Sequence, residues 1–201
     1  MSEIDNLLAR YVENNVNSNF DKEIIIKIKK KLEKNGYSLL RAIEVFYPFE
    51  EVLRDIIGSK SSGMLERICR AVCENKPREK YAYVVKDRNF QDLILSTYGN
   101  NDKRSILQAI AKSPMSISEI LDKADIPKSS GYKIVDSLLA DGLLTTTDQK
   151  IKNLDGNRVS AYRPTIESID IRINGGSIVI ELQFAEEYAK KSHILKAIIK
   201  R

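Results

Sequence analysis

Residues 116–144, SISEILDKADIPKSSGYKIVDSLLADGLL, decide the fold. Ser116 and Glu119 stand at capping-box spacing: the serine oxygen accepts a free backbone N–H of the first turn, and the glutamate accepts from the cap residue's own N–H. A helix therefore starts after Ser116, with Ile117, Ile120 and Leu121 on its buried side. Asp122-Lys123-Ala124-Asp125 turns the chain and Ile126 returns to the core. Pro127 then suits the first turn of a new helix, where a missing N–H costs nothing. Along residues 127–141, Gly131, Val135, Leu138 and Gly142 mark a packed side, whereas Lys128, Ser129, Tyr132, Lys133 and Asp136 fall on another face.

The flanks extend this pattern. Upstream, Ile106, Leu107 and Ile110 form the apolar face of a short helix that Ser113-Pro114 terminates. Downstream, two strand-like stretches, residues 143–151 and 159–163, enclose Asn153-Leu154-Asp155-Gly156-Asn157-Arg158, and Asp-Gly is a strong hairpin signal. Three helices followed by a basic hairpin is a layout that lets one helix enter a major groove while a loop reaches the neighbouring groove or backbone.

This run of residues resembles the ArsR-like winged helix-turn-helix regulators of archaea and bacteria. The resemblance is carried most specifically by Ile126-Pro127-Lys128-Ser129-Ser130, Tyr132-Lys133 and Asp141-Gly142-Leu143-Leu144. It implies that residues 127–142 are a recognition helix, that the partner is double-stranded DNA, and that a homodimer reads two half-sites. Gly131 departs from the family, which has a branched apolar residue there, and a helical glycine costs about 1 kcal/mol relative to alanine. Close packing of a second helix accounts for it better than close approach of DNA. Metal-sensing members carry cysteines in or beside the recognition helix; none stands there in this chain, so no metal or other cofactor is expected.

Charge placement agrees with a nucleic-acid partner. Residues 127–135 hold Lys128 and Lys133 and no acid, and residues 149–163 hold Lys150, Lys152, Arg158 and Arg163 against Asp155. Lys103 and Arg104 open the first helix. On this reading Lys128 and Lys133 meet phosphates or guanine edges, Ser129 and Ser130 bond a phosphate or cap the helix, and Tyr132 meets the backbone or a thymine methyl. Lys150, Lys152, Asn157, Arg158 and Arg163 serve the wing. The competing use is a winged helix that docks on protein within a transcription or chromatin assembly.

Composition bounds the rest. With 201 residues, 42% hydrophobic and 30% charged, the chain can bury a core, and wholesale disorder is excluded as an expectation. No apolar run is long enough to span a membrane and no signal peptide opens the chain, so a cytoplasmic location is expected. An enzyme is not expected: the lone histidine, His193, lies in the tail, and glycine-rich phosphate loops and metal-ligand clusters are missing. Cys69 and Cys73 supply half a zinc set at most and read as reduced, partly buried thiols, with a redox or metal sensor as the alternative.

The fold class expected is α+β, mostly α, in three parts. Residues 1–85 form a helical domain from the recurrences Ile24, Ile25, Ile28, Leu32; Leu39, Leu40, Ile43; Val52, Leu53, Ile56, Ile57; and Leu65, Ile68, Val72, punctuated by Gly36, Pro48, Gly58 and a Ser61 or Ser62 cap. It is the expected place for an effector or interaction partner. Residues 90–165 form the winged helix. Residues 166–201 form a hairpin, with Ile169, Ile171 and Ile173 alternating before Asn174-Gly175-Gly176, and a helix over 185–201 that either covers the hairpin or pairs two chains, dimerisation being the favoured use.

Overall fold

A computed structural model describes residues 2–77, 79–152 and 157–199, the side chains of 148 and 149 excepted. In chain order the elements are α1 (Glu3–Asn19), α2 (Lys22–Lys34), α3 (Leu39–Val45), α4 (Tyr47–Ile57), a 3-10 turn (Gly58–Lys60), α5 (Ser61–Val72), β1 (Cys73–Asn75), β2 (Ala82–Val85) and α6 (Arg88–Gly99). There follow α7 (Asn101–Ala109), α8 (Ile117–Lys123), α9 (Lys128–Ala140), β3 (Leu144–Lys152), β4 (Arg158–Pro164), β5 (Ile166–Asn174), β6 (Ser177–Phe184), α10 (Glu186–Ala189) and α11 (His193–Ile199). The fold is α+β and mostly helical, with two small antiparallel sheets. No helix among the described residues is long and apolar enough to cross a membrane.

The chain forms two compact units, one of residues 1–91 with 168–201 and one of 92–167. Residues 166–201 are thus not a separate third part. Their hairpin completes the sheet of the first unit, in the order β1-β2-β6-β5, with β2 antiparallel to β6 in the register Ala82↔Gln183, Tyr83↔Leu182 and Val84↔Glu181. Lys76 Nζ fixes this seam, lying 2.7 Å from Glu181 Oε2 and 2.7 Å from Glu79 Oε1.

Helix α1, which lies before the apolar recurrences of residues 24–72, is central to the first unit. Ser2 caps it, and Ile4, Leu7, Leu8, Tyr11, Val12 and Val16 are buried along one stripe against α2, α3, α5, α10 and α11. Gly36, at φ 80, ends α2 as a Schellman stop, with the Tyr37 N–H donating to Leu32 O at 3.0 Å. Ser61 opens α5 rather than capping it, since Lys60 holds the cap position.

The tail folds as two short helices and not one. Ser192 breaks the run because its hydroxyl accepts the Leu195 N–H at 3.0 Å and caps α11, while its own proton goes to Asp5 Oδ1 at 2.5 Å. Asp5 is fully buried, and its carboxylate also accepts the His193 and Ile194 N–H groups at 2.9 and 3.1 Å. A buried carboxylate needs such a set of donors, because an unpaired one costs several kcal/mol. Ile194, Leu195 and Ile198 are buried within the protomer against α1 and α5, so most of the apolar surface of α11 is consumed there and Ile199 stays exposed.

Candidate nucleic-acid interface

Helices α7, α8 and α9 and the β3–β4 hairpin belong to the second unit. The capping box before α8 is closed: Ser116 Oγ accepts the Glu119 N–H at 3.3 Å, and Glu119 Oε2 accepts the Ser116 N–H and O–H at 2.8 and 2.7 Å. The Ser116 hydroxyl, then its amide, hold the Glu119 carboxyl below its usual range.

The turn from α8 to α9 is a Schellman motif with an aspartate in the left-handed position. Asp125 has φ 55, and the Ile126 N–H donates to Leu121 O at 3.0 Å, which returns Ile126 to the core at 8% exposure. Pro127 is the cap of α9 and not its first helical residue. The same device ends α9: Gly142 has φ 74, and the Leu143 N–H donates to Leu138 O at 3.0 Å.

Helix α9 divides as its sequence implies. Gly131, Val135 and Leu138 are buried, while Lys128, Ser129, Ser130, Lys133 and Asp136 are exposed and Tyr132 is 47% exposed. A Cβ on Gly131 would collide with Leu121 of α8, so this glycine serves helix packing. Lys128 Nζ lies 3.6 Å from Asp122 Oδ1, with both side chains more than half exposed. A pair so open to solvent is worth little and leaves the lysine able to change partner.

Lys103 and Arg104 are placed differently. Lys103 is half-buried and pairs at 3.4 Å with Asp141, the C-cap of α9. Arg104 Nη1 donates to Tyr98 O at 2.8 Å and Nη2 donates to Asn101 Oδ1 at 2.6 Å. Both cations fasten the start of α7 to its surroundings.

In the hairpin, Lys150 stands opposite Ser160, Ile151 opposite Val159, and Lys152 opposite Arg158. Strand alternation puts Lys150, Lys152 and Arg158 on one face, and all three are exposed. Asn157 is exposed beside them; the Asp155-Gly156 turn lies outside the described residues. Arg163, half-buried opposite Thr145, lies on the other face with buried Ala161. Sequence reasoning missed the anchor of the hairpin: Met115 forms a bridge to Tyr162, with N–H···O distances of 3.2 and 2.8 Å in the two directions. A single bridging residue between two helices has no periodicity to reveal it.

No protein-family model, curated protein or solved structure matches this chain. The candidate surface therefore stands on its geometry alone: the exposed side of α9 and the Lys150, Lys152 and Arg158 face of the hairpin. Among the described residues no group of three or more His, Cys, Asp or Glu is arranged to hold a metal ion. Cys69 and Cys73 are free and fully buried, and burial pushes the Cys73 thiol up to about 12 and the Cys69 thiol higher still.

Proposed function

We propose that residues 101–164 are a winged helix-turn-helix that binds double-stranded DNA, with α9 in the major groove and the β3–β4 hairpin on the adjacent groove or backbone, and that the chain is a transcription regulator acting as a homodimer. The observation that carries this reading is the Lys152–Arg158 pair. Like charges directly opposite each other across two strands disfavour the hairpin. A phosphate placed over the pair removes that penalty and makes the same residues an asset. Lys150 on the same face, and Ser129 and Lys133 on the open side of α9, supply further donors suited to phosphate and base edges.

The test is selection of bound duplexes from a random pool with the purified chain, followed by affinity measurements across salt. Enrichment of a two-half-site sequence is expected, with a log–log salt slope that falls by about 1 when Lys152 or Arg158 becomes alanine. No enrichment together with a flat salt response overturns the reading. Tyr132, exposed in the middle of α9, favours the second use, docking on another protein. In that case Tyr132→Ala abolishes the association and the hairpin cations do not matter.

A further inference from the structure

Strand β5 is an edge of its sheet. Residues 169–173 read Ile-Asp-Ile-Arg-Ile, a pattern that reversal preserves except that acid and base exchange places. The strand contains neither proline nor lysine, two residues that keep exposed edges from pairing.

The backbone directions follow from the turn. Gly175 and Gly176, at φ 55 and 86, form a two-residue connection between Asn174 and Ser177. Residues that flank such a turn exchange both hydrogen bonds, and so does every second residue along the strand. Asn174, Arg172 and Asp170 thus point their backbone groups at β6, and Ile169, Ile171 and Ile173 point theirs at the free edge. The side chains of these isoleucines share a sheet face with Ile178, Ile180, Leu182 and Phe184. That face is buried at Ile180, Leu182 and Phe184 but uncovered at Ile173 and Ile178, which are 67% and 38% exposed.

We infer that β5 pairs antiparallel with β5 of a second copy of this chain, about a twofold axis through Ile171. In that register Ile171 meets itself, Ile169 meets Ile173 of the partner subunit, and all outward backbone groups of the three isoleucines are satisfied. Asp170 faces Arg172 of the partner subunit twice over, in the non-hydrogen-bonded positions where side chains come closest. The neighbouring registers are disfavoured: an axis through residue 170 sets Asp170 against itself, and one through 172 sets Arg172 against itself. Within one protomer Arg172 already lies 3.8 Å from Asp170 and contacts Glu181, so the partner's carboxylate would join an existing network. This gives the homodimer of the DNA-binding reading a definite interface, yet it is tested without DNA, so either can fail alone.

The experiment is sedimentation equilibrium of the full chain and its charge variants. The wild type is expected to form two-chain particles that dissociate on dilution. Asp170→Arg and Arg172→Asp should each weaken association by about tenfold or more. An equimolar mixture of the two variants, or the double swap in one chain, should restore it. Ile171→Cys should cross-link to itself on oxidation, since hydrogen-bonded partners stand about 5.5 Å apart at Cα, within disulfide reach; Ile169→Cys should not. Thermal melts of each variant check folding, and should Arg172→Asp fail to fold, Asp170→Arg and the two cysteine variants still decide. A wild type that stays monomeric at every concentration, or a dimer indifferent to both charge reversals, overturns the inference.

Discussion

Gly131 on α9 and Leu121 on α8 are in such close contact that a Cβ added to the glycine would lie 2.4 Å from Leu121 Cδ2 and 3.1 Å from its Cγ. Leu121 is itself fully buried and has little room to yield. The missing side chain sets how closely the two helices cross, and with it where the exposed side of α9 stands.

Gly131→Ala is therefore expected to destabilise the second unit. Overpacking costs about 1–3 kcal/mol, against a helix-propensity gain of about 1 kcal/mol. Thermal denaturation should show a lowered midpoint, and adding Leu121→Ala should make the alanine at 131 less costly than it is alone. A Gly131→Ala chain more stable than wild type by about 1 kcal/mol, the full propensity gain, would show that Leu121 moves aside freely.

On the proposed DNA-binding reading, Lys103 is a structural cation and Lys133 a binding one. Lys103→Ala should lower stability by about 1 kcal/mol or less, the range of partly exposed pairs, and leave the salt slope of DNA binding unchanged. Lys133→Ala should do the reverse, losing about one unit of slope with little change in the melting curve. Matched titrations and melts on the two variants check this.

The capping box makes α8 sensitive to acid. Glu119 is held below its usual value of 4.5 in the folded chain, so its contribution is complete above that value and is lost as pH falls from there through the lower folded value. Urea midpoints from neutral to about pH 3 should fall less steeply for Glu119→Gln than for wild type. Ser116→Ala should cost about 1 kcal/mol at neutral pH.

The two cysteines should be silent. With both thiols fully buried and pushed far above the usual range, a disulfide reagent at mildly alkaline pH should leave the native chain unmodified and react with both sites after denaturation. Rapid native-state reaction would return the redox reading of this pair.

Legibility in the sequence followed the range of the forces involved. The capping box at Ser116 and Glu119, the stop at Gly36 and the Asn174–Ser177 hairpin are set by neighbours within a few residues, and each was readable, whereas Gly142, read as part of the packed side of α9, is its left-handed stop. The pairing of β2 with β6 joins segments a hundred residues apart, and no local pattern at Ala82 or Gln183 announces it. Helix α1 was readable in principle from its spacing at 4, 7, 8, 11, 12 and 16, with Ser2 as cap. At the candidate interface, exposure on α9 followed from periodicity. The capture of Lys103 by Asp141 did not, because 38 residues separate the partners and only the fold brings them together.

The buried Asp5 carries one more consequence, for the order of synthesis. Its donors, Ser192, His193 and Ile194, leave the ribosome nearly two hundred residues after α1 begins to emerge. The second unit is complete once residue 167 is out, whereas the first still lacks β5, β6 and the two tail helices, which cover part of the α1 stripe and bring Asp5 its protein donors. The segment encoded in the middle can therefore mature first, and a nascent chain interrupted before Ser192 presents chaperones with the part of α1 that α11 would cover.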